Sequence, residues 1–188
     1  MRTTLSALLI AATFLMAPDA KAQNPPNLGL AGHDFFYAGE QKQHWMFVVR
    51  GGRVVWSYID AKSKGEISDA TLLPNGNVLF AYQYGVSLIT PDKKILWHVD
   101  APPNTEIHTA QMMDADRVFY VQNGEPAVLR VVDTKSGRAE REFTLPVGNP
   151  KNVHGHFRHA RLTPGGNFLV AHMDAKKVVE YDRVGAAV

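Results

Sequence analysis

Three sixteen-residue strings in this chain align with one another without a gap: SDATLLPNGNVLFAYQ (68–83), HTAQMMDADRVFYVQN (108–123) and RHARLTPGGNFLVAHM (158–173). Each has a small residue in third place (Ala70, Ala110, Ala160), then an apolar pair, a turn and a second apolar run. A chain that repeats itself at this interval must build one supersecondary unit several times and bury the face of each unit against the next.

The unit is all-β. Its apolar runs are four to seven residues long, rich in Val, Ile, Leu, Phe and Tyr, and separated by turn chemistry such as Pro74-Asn75-Gly76-Asn77 and Thr163-Pro164-Gly165-Gly166. A third strand follows each aligned string at GVSLIT (85–90), AVLRVVD (127–133) and KVVEYD (177–182). A fourth closes the unit at KILWHV (94–99) and AEREFTL (139–145), and an earlier, partial unit reads FFYAG (35–39), HWMFVV (44–49) and RVVWSYI (53–59). The aligned starts lie 40 and 50 residues apart, and Trp56 precedes Trp97 by 41. Four short antiparallel strands at that interval predict a β-propeller, with four-stranded blades near 34–60, 66–100, 106–146 and 156–188, the last incomplete. A β-sandwich also shows evenly spaced strands, but it does not predict gapless internal similarity. Trp56 and Trp97 recur at one place in the unit and are expected to pack between blades; Trp45, in an alternating strand, is expected in the core. Arg183–Val188 lines up with Arg50–Val55, one residue short of the blade Trp. That points to about four blades of a larger ring; the alternative is a short chain that closes as four blades or dimerises.

The first 22 residues read as a secretory signal: Arg2, an apolar run from Leu5 to Ala17, and Ala20-Lys21-Ala22 as a small-x-small cleavage pattern. Thirteen apolar residues are too few to span about 30 Å of hydrocarbon as a helix. Residues 23–33, rich in Pro, Gly and Asn, read as a linker. The expected mature protein is exported, periplasmic or extracellular, with no membrane contact after cleavage. Twenty Lys and Arg against 18 Asp and Glu leave +2, too small a surplus to make nucleic acid the partner. The chain has no Cys, which excludes disulfides, thiolate metal sites and thiol nucleophiles.

Residues entering the innermost strand of a blade face the channel mouth. Here they are Ser68/Asp69, His108/Thr109 and Arg158/His159, preceded by Glu66, Glu106 and His156. His108, His156, Arg158 and His159 are therefore the candidate catalytic residues, since imidazole serves as acid, base or nucleophile and Arg as an anion fork. His154, His156, His159 and His172 are the candidate metal ligands. On an extended strand residues two apart share a face, so His154 and His156 are expected to converge. Imidazoles at this density suit zinc, copper or nickel. Tyr82, Gln122 and His172 hold equivalent places in the second strand, where spacers between strands are also expected.

The string DATLLPNGNVLFAY (69–82) with GVSLITPDKKILWHVDAP (85–102) resembles exported propellers of the quinoprotein alcohol dehydrogenase-like (PQQ-type repeat) superfamily, and the propeller of bacterial arylsulfotransferases. The first resemblance implies a quinone stacked on a Trp and, commonly, on a vicinal Cys pair. A chain without Cys departs from that pattern, which argues against PQQ and leaves a metal as the cofactor to consider. The second implies channel histidines and an arginine that handle a sulfuryl group. The leading expectation is an exported binding or scaffold module taking a small-molecule or protein ligand at the channel mouth. Arylsulfotransferase-like group transfer is the alternative, and a metal- or anion-binding propeller the next.

Overall fold

A computed structural model describes residues 32–39, 43–60 and 62–188. The expected signal, 1–22, and most of the linker, 23–33, lie outside the described residues. Among those described there is no α-helix, only strands and a 3₁₀ turn at Val153–Gly155. The first sheet contains β1 (Phe35–Ala38), β2 (His44–Arg50) and β3 (Arg53–Asp60). The second contains β4 (Ile67–Leu72), β5 (Val78–Tyr82), β6 (Gly85–Ile89) and β7 (Ile95–Asp100). The third contains β8 (Glu106–Met112), β9 (Arg117–Asn123), β10 (Ala127–Asp133) and β11 (Ala139–Leu145). The fourth contains β12 (Phe157–Leu162), β13 (Phe168–His172) and β14 (Lys177–Tyr181). Every sheet is an antiparallel meander in chain order. These are the four blades that the repeat predicts.

The repeat extends to the backbone. Leu73 N–H donates to the Asn77 carbonyl at 2.8 Å and Thr163 N–H to the Asn167 carbonyl at 2.8 Å, closing the same turn in two blades. Gly76 (φ +84°) and Gly166 (φ +82°) occupy its left-handed position, which a residue without Cβ takes without strain. Each of the second, third and fourth blades has a β-bulge at one place on its first strand, where the register slips across Ser68, His108 and Arg158. A second bulge recurs between the last two strands of the first three blades, at Val48/Val49, Leu88/Ile89 and Val131/Val132.

Three apolar layers fill the spaces between blades. Met46, Ile67, Val78, Phe80 and Ile89 join the first blade to the second. Trp97, 6% exposed, packs on Ile107, Ala110, Val118 and Tyr120 of the third, its ring 6.3 Å from that of Tyr120. Phe119, Leu129, Phe157, Phe168 and Tyr181 fill the last layer. Trp56 is half-buried against the first layer, its Nε1–H donating to the Pro91 carbonyl at 2.7 Å. Both tryptophans thus lie between blades. Trp45 does not lie in the core. It is half-buried, set edge-on to Phe47 (6.5 Å), while Met46 and Val48, on the opposite side of the pleat, are buried.

Candidate functional site at the rim of the inner strands

The first strands of three blades, β4, β8 and β12, stand side by side and are tied together by side chains. Asp69 on β4 accepts from Thr109 Oγ1 (2.8 Å) and Ala110 N–H (3.2 Å) on β8, and from both terminal nitrogens of Arg161 on β12 (2.8 Å each). Ala160 N–H donates to Thr109 Oγ1 (3.0 Å) and Leu162 N–H to Gln111 Oε1 (2.9 Å). This buried lattice fixes the inner wall.

One residue up the wall sit the three bulges. A bulge turns an extra side chain out of the alternation of its strand and re-aims it. Ser68, His108 and Arg158 are those extra residues, and they form one connected file with their flanking residues. Ser68 Oγ lies 2.8 Å from His108 Nδ1, and His108 Nε2 lies 2.7 Å from Glu106 Oε2. The same carboxylate oxygen is 2.8 Å from His154 Nδ1, and Glu106 Oε1 accepts from Gln83 Nε2 at 2.8 Å. His154 Nε2 faces an Arg158 guanidinium nitrogen at 2.9 Å, and Arg158 donates to Glu66 Oε1 at 2.6 Å.

The directions of these bonds follow from chemistry. A carboxylate only accepts, so Glu106 Oε2 takes N–H from His108 Nε2 and from His154 Nδ1. His108 Nδ1 and His154 Nε2 are then bare acceptors, filled by the Ser68 hydroxyl and the Arg158 guanidinium. Both imidazoles are neutral in this arrangement. Burial holds the His108 pKa below its usual value, with the Arg158 charge acting the same way against the pull of Glu106. Burial pushes the Glu106 carboxyl up, but hydrogen bonds from Gln83, His108 and His154 outweigh it and leave the pKa below its usual value.

The candidate residues divide here. His108 and Arg158 join the rim file, as does His154. His156 enters the fold elsewhere: fully buried, it donates from Nε2 to the Asn149 carbonyl at 2.9 Å. His172 is buried in the fourth blade, Nε2 2.8 Å from the Tyr181 hydroxyl and its ring 4.7 Å from that of Phe157. His159 is exposed on β12. The expected convergence of His154 and His156 does not occur, because the chain there is a 3₁₀ turn and not an extended strand. Gly155 N–H donates to the Asn152 carbonyl at 2.9 Å and sends the two rings apart.

Glu106 is the residue that reading the histidines alone passes over. Glu66, Glu106 and His156 are equivalent in the repeat, two residues before Ser68, His108 and Arg158, so the pattern Glu-x-His in the third unit carried the signal. Among the described residues one group of three or more His, Asp or Glu has its ligand atoms close enough for a metal ion: Glu106, His108 and His154, all within 4.8 Å of one another. A cleft of about 500 Å³ borders Glu106 and Val153, lined also by Tyr84, Pro102, Pro103 and Asn104. A second Ser–His–carboxylate file, Ser87–His98–Asp100 at 2.9 and 3.0 Å, runs through the second blade, but its Asp100 side chain is 83% exposed and shares its charge with water.

No protein-family model matches this chain, and no curated protein does. Solved structures do. A protein of unknown function from Bacteroides caccae is 24% identical, with a TM-score of 0.69 over 81% of this chain and 55% of its own. The C-terminal WD40 domain of Sif2 is 17% identical, with a TM-score of 0.54 over 75% of this chain and 40% of its own. This chain thus spans about half the length of those neighbours. At these identities the likeness speaks for architecture alone. The architecture is that of a β-propeller, with four antiparallel blades among the described residues.

Proposed function

We propose that this chain is an exported propeller that binds a small-molecule or protein ligand at the rim of its inner strands and does not transform it. The observation that carries this reading is the file of bulged residues. Three blades repeat one backbone irregularity and place a different polar residue on it each time, while the wall beneath is held by the Asp69 lattice. Packing alone does not call for that variation. Export rests on the signal pattern of residues 1–22.

The arylsulfotransferase resemblance supports a second reading, in which His108 and Arg158 handle a sulfuryl group. In its favour, His108 carries Ser68 on one nitrogen and a carboxylate on the other. Against it, the groups that would meet an anion are engaged by carboxylates, His108 by Glu106 and Arg158 by Glu66. With both imidazoles neutral, the two carboxylates and one guanidinium of the file favour a cationic ligand. The PQQ-type resemblance fares less well, since its Cys pair has no counterpart in a chain without Cys.

The test is an assay of the full chain with p-nitrophenyl sulfate as donor and phenol as acceptor. The binding reading expects no p-nitrophenolate release above that of His108→Ala. Release that His108→Ala abolishes overturns it.

A further inference from the structure

We propose that Glu106, His108 and His154 bind a divalent transition-metal ion of the zinc, cobalt, nickel or copper class, through Oε2, Nε2 and Nδ1. This rests on the reading that the rim is the binding surface and names its ligand. Two imidazoles and a carboxylate suit these ions. The three ligand atoms are already gathered: one carboxylate oxygen lies 2.7 Å from one ring nitrogen and 2.8 Å from the other. Bound to one ion at about 2.0–2.2 Å each, they would stand about 3.0–3.4 Å apart. His154 supplies that small movement, because its side chain is half-exposed on a 3₁₀ turn.

The stronger observation is that two of the three ligands, His108 and Glu106, have an outer partner placed for the metal-bound state, and the third, His154, has a carboxylate within reach. An ion at His108 Nε2 moves that proton to Nδ1, where Ser68 Oγ turns from donor to acceptor at 2.8 Å. An ion at His154 Nδ1 moves its proton to Nε2, and Glu66 Oε1 stands 3.6 Å away to receive it as Arg158 withdraws. Gln83 already holds the second oxygen of Glu106. Outer partners of this kind fix the tautomer and orientation of ligating imidazoles. Each imidazole proton thus stays on its own ring. Three protein ligands leave at least one coordination position open, and the cleft beside Glu106 offers room for what would fill it.

The test is calorimetric titration of the full chain with zinc chloride at pH 8, with cobalt chloride followed by visible absorption. The expected result is one site of micromolar affinity and a cobalt spectrum of nitrogen and oxygen ligation. His154→Ala, at an exposed position, and Glu106→Gln should each weaken binding at least tenfold. Glu66→Gln should weaken it about tenfold through the outer shell, and His159→Ala should leave it unchanged. No saturable zinc or cobalt binding, or a His154→Ala variant that titrates like the parent, overturns the metal site. That failure with a silent sulfuryl assay removes the metal and leaves the binding module. Sulfuryl transfer by the parent that His108→Ala abolishes, with metal binding by the parent intact, removes the binding module and leaves the metal.

Discussion

Arg161 grips both carboxylate oxygens of Asp69 at 2.8 Å, from 92 residues away and across the inner strand of the blade that separates them. Asp69 is 7% exposed, and the same carboxylate takes Thr109 Oγ1 and Ala110 N–H. One side chain therefore joins three blades. Removing it strands two buried donors and a guanidinium together.

Asp69→Ala is expected to cost about 3 kcal/mol in urea unfolding, because the donors left behind are desolvated and unpaired. Arg161→Lys keeps the charge but loses the planar fork, and should cost only about 1 kcal/mol. An Arg161→Lys variant as stable as the parent would show that the paired geometry contributes nothing, and one as destabilised as Asp69→Ala would show that the Thr109 and Ala110 donors add nothing to it.

Trp97→Ala is expected to cost about 3–5 kcal/mol, since a buried ring between the second and third blades leaves a hole its neighbours cannot close. Trp56→Ala, at a half-exposed ring, should cost less, about 1–2 kcal/mol. The order of the two urea midpoints checks this. A Trp56 variant that loses more than the Trp97 variant would contradict the packing described here.

The wall of the inner strands was legible in the sequence because it repeats. Ala70, Ala110 and Ala160 align without a gap, and the first strands they mark stand side by side in the fold. The Trp56 and Trp97 positions were legible for the same reason. The rim chemistry was only half legible. His108 and Arg158 lie within the repeat, and a backbone bulge at a fixed place carries them to the rim. His154 lies outside it, in a segment whose extra ten residues have no counterpart between the first two aligned units. The 3₁₀ turn there reversed the expected pairing, sending His154 to Glu106 and His156 to the Asn149 carbonyl. Periodicity describes strands; it does not see a turn of three residues.

Two glycines separate crowding from backbone strain. A Cβ on Gly85 would lie 2.6 Å from the Val99 carbonyl oxygen and 2.7 Å from the Tyr82 hydroxyl. Gly85→Ala should therefore cost about 1–3 kcal/mol by overpacking. Gly137 has φ +70° with nothing within 4 Å of a Cβ, so Gly137→Ala should cost about 1 kcal/mol from backbone alone. Gly137→Asn, which tolerates that φ, should recover part of the loss, whereas Gly85→Asn should be worse than Gly85→Ala. Thermal melts of the four variants decide the point, and recovery at Gly85 would sink the crowding account.

Stability should fall as the pH drops below about 6.5, and buried histidines give the sign. Burial is the main cause holding the pKa values of His44 and His172 below 6.5 in the fold. Around His172, Lys177 adds to the depression and Asp174 opposes it. A group whose folded pKa lies below its unfolded value binds its proton more readily in the unfolded chain. Above pH 6.5 both states are neutral and nothing is lost; as pH falls through the folded pKa, the unfolded state gains. The carboxyl of Asp174, held low by backbone N–H donors of Asn149 and Gly148 that outweigh its desolvation, adds a further loss only below its unfolded value of 3.8. His172→Gln keeps an acceptor for the Tyr181 hydroxyl but cannot titrate. Its melting temperature should therefore decline less than that of the parent between pH 7.5 and 5.5, whatever its value at pH 7.5. Parallel declines in the two proteins would show that His172 takes no part in the acid response.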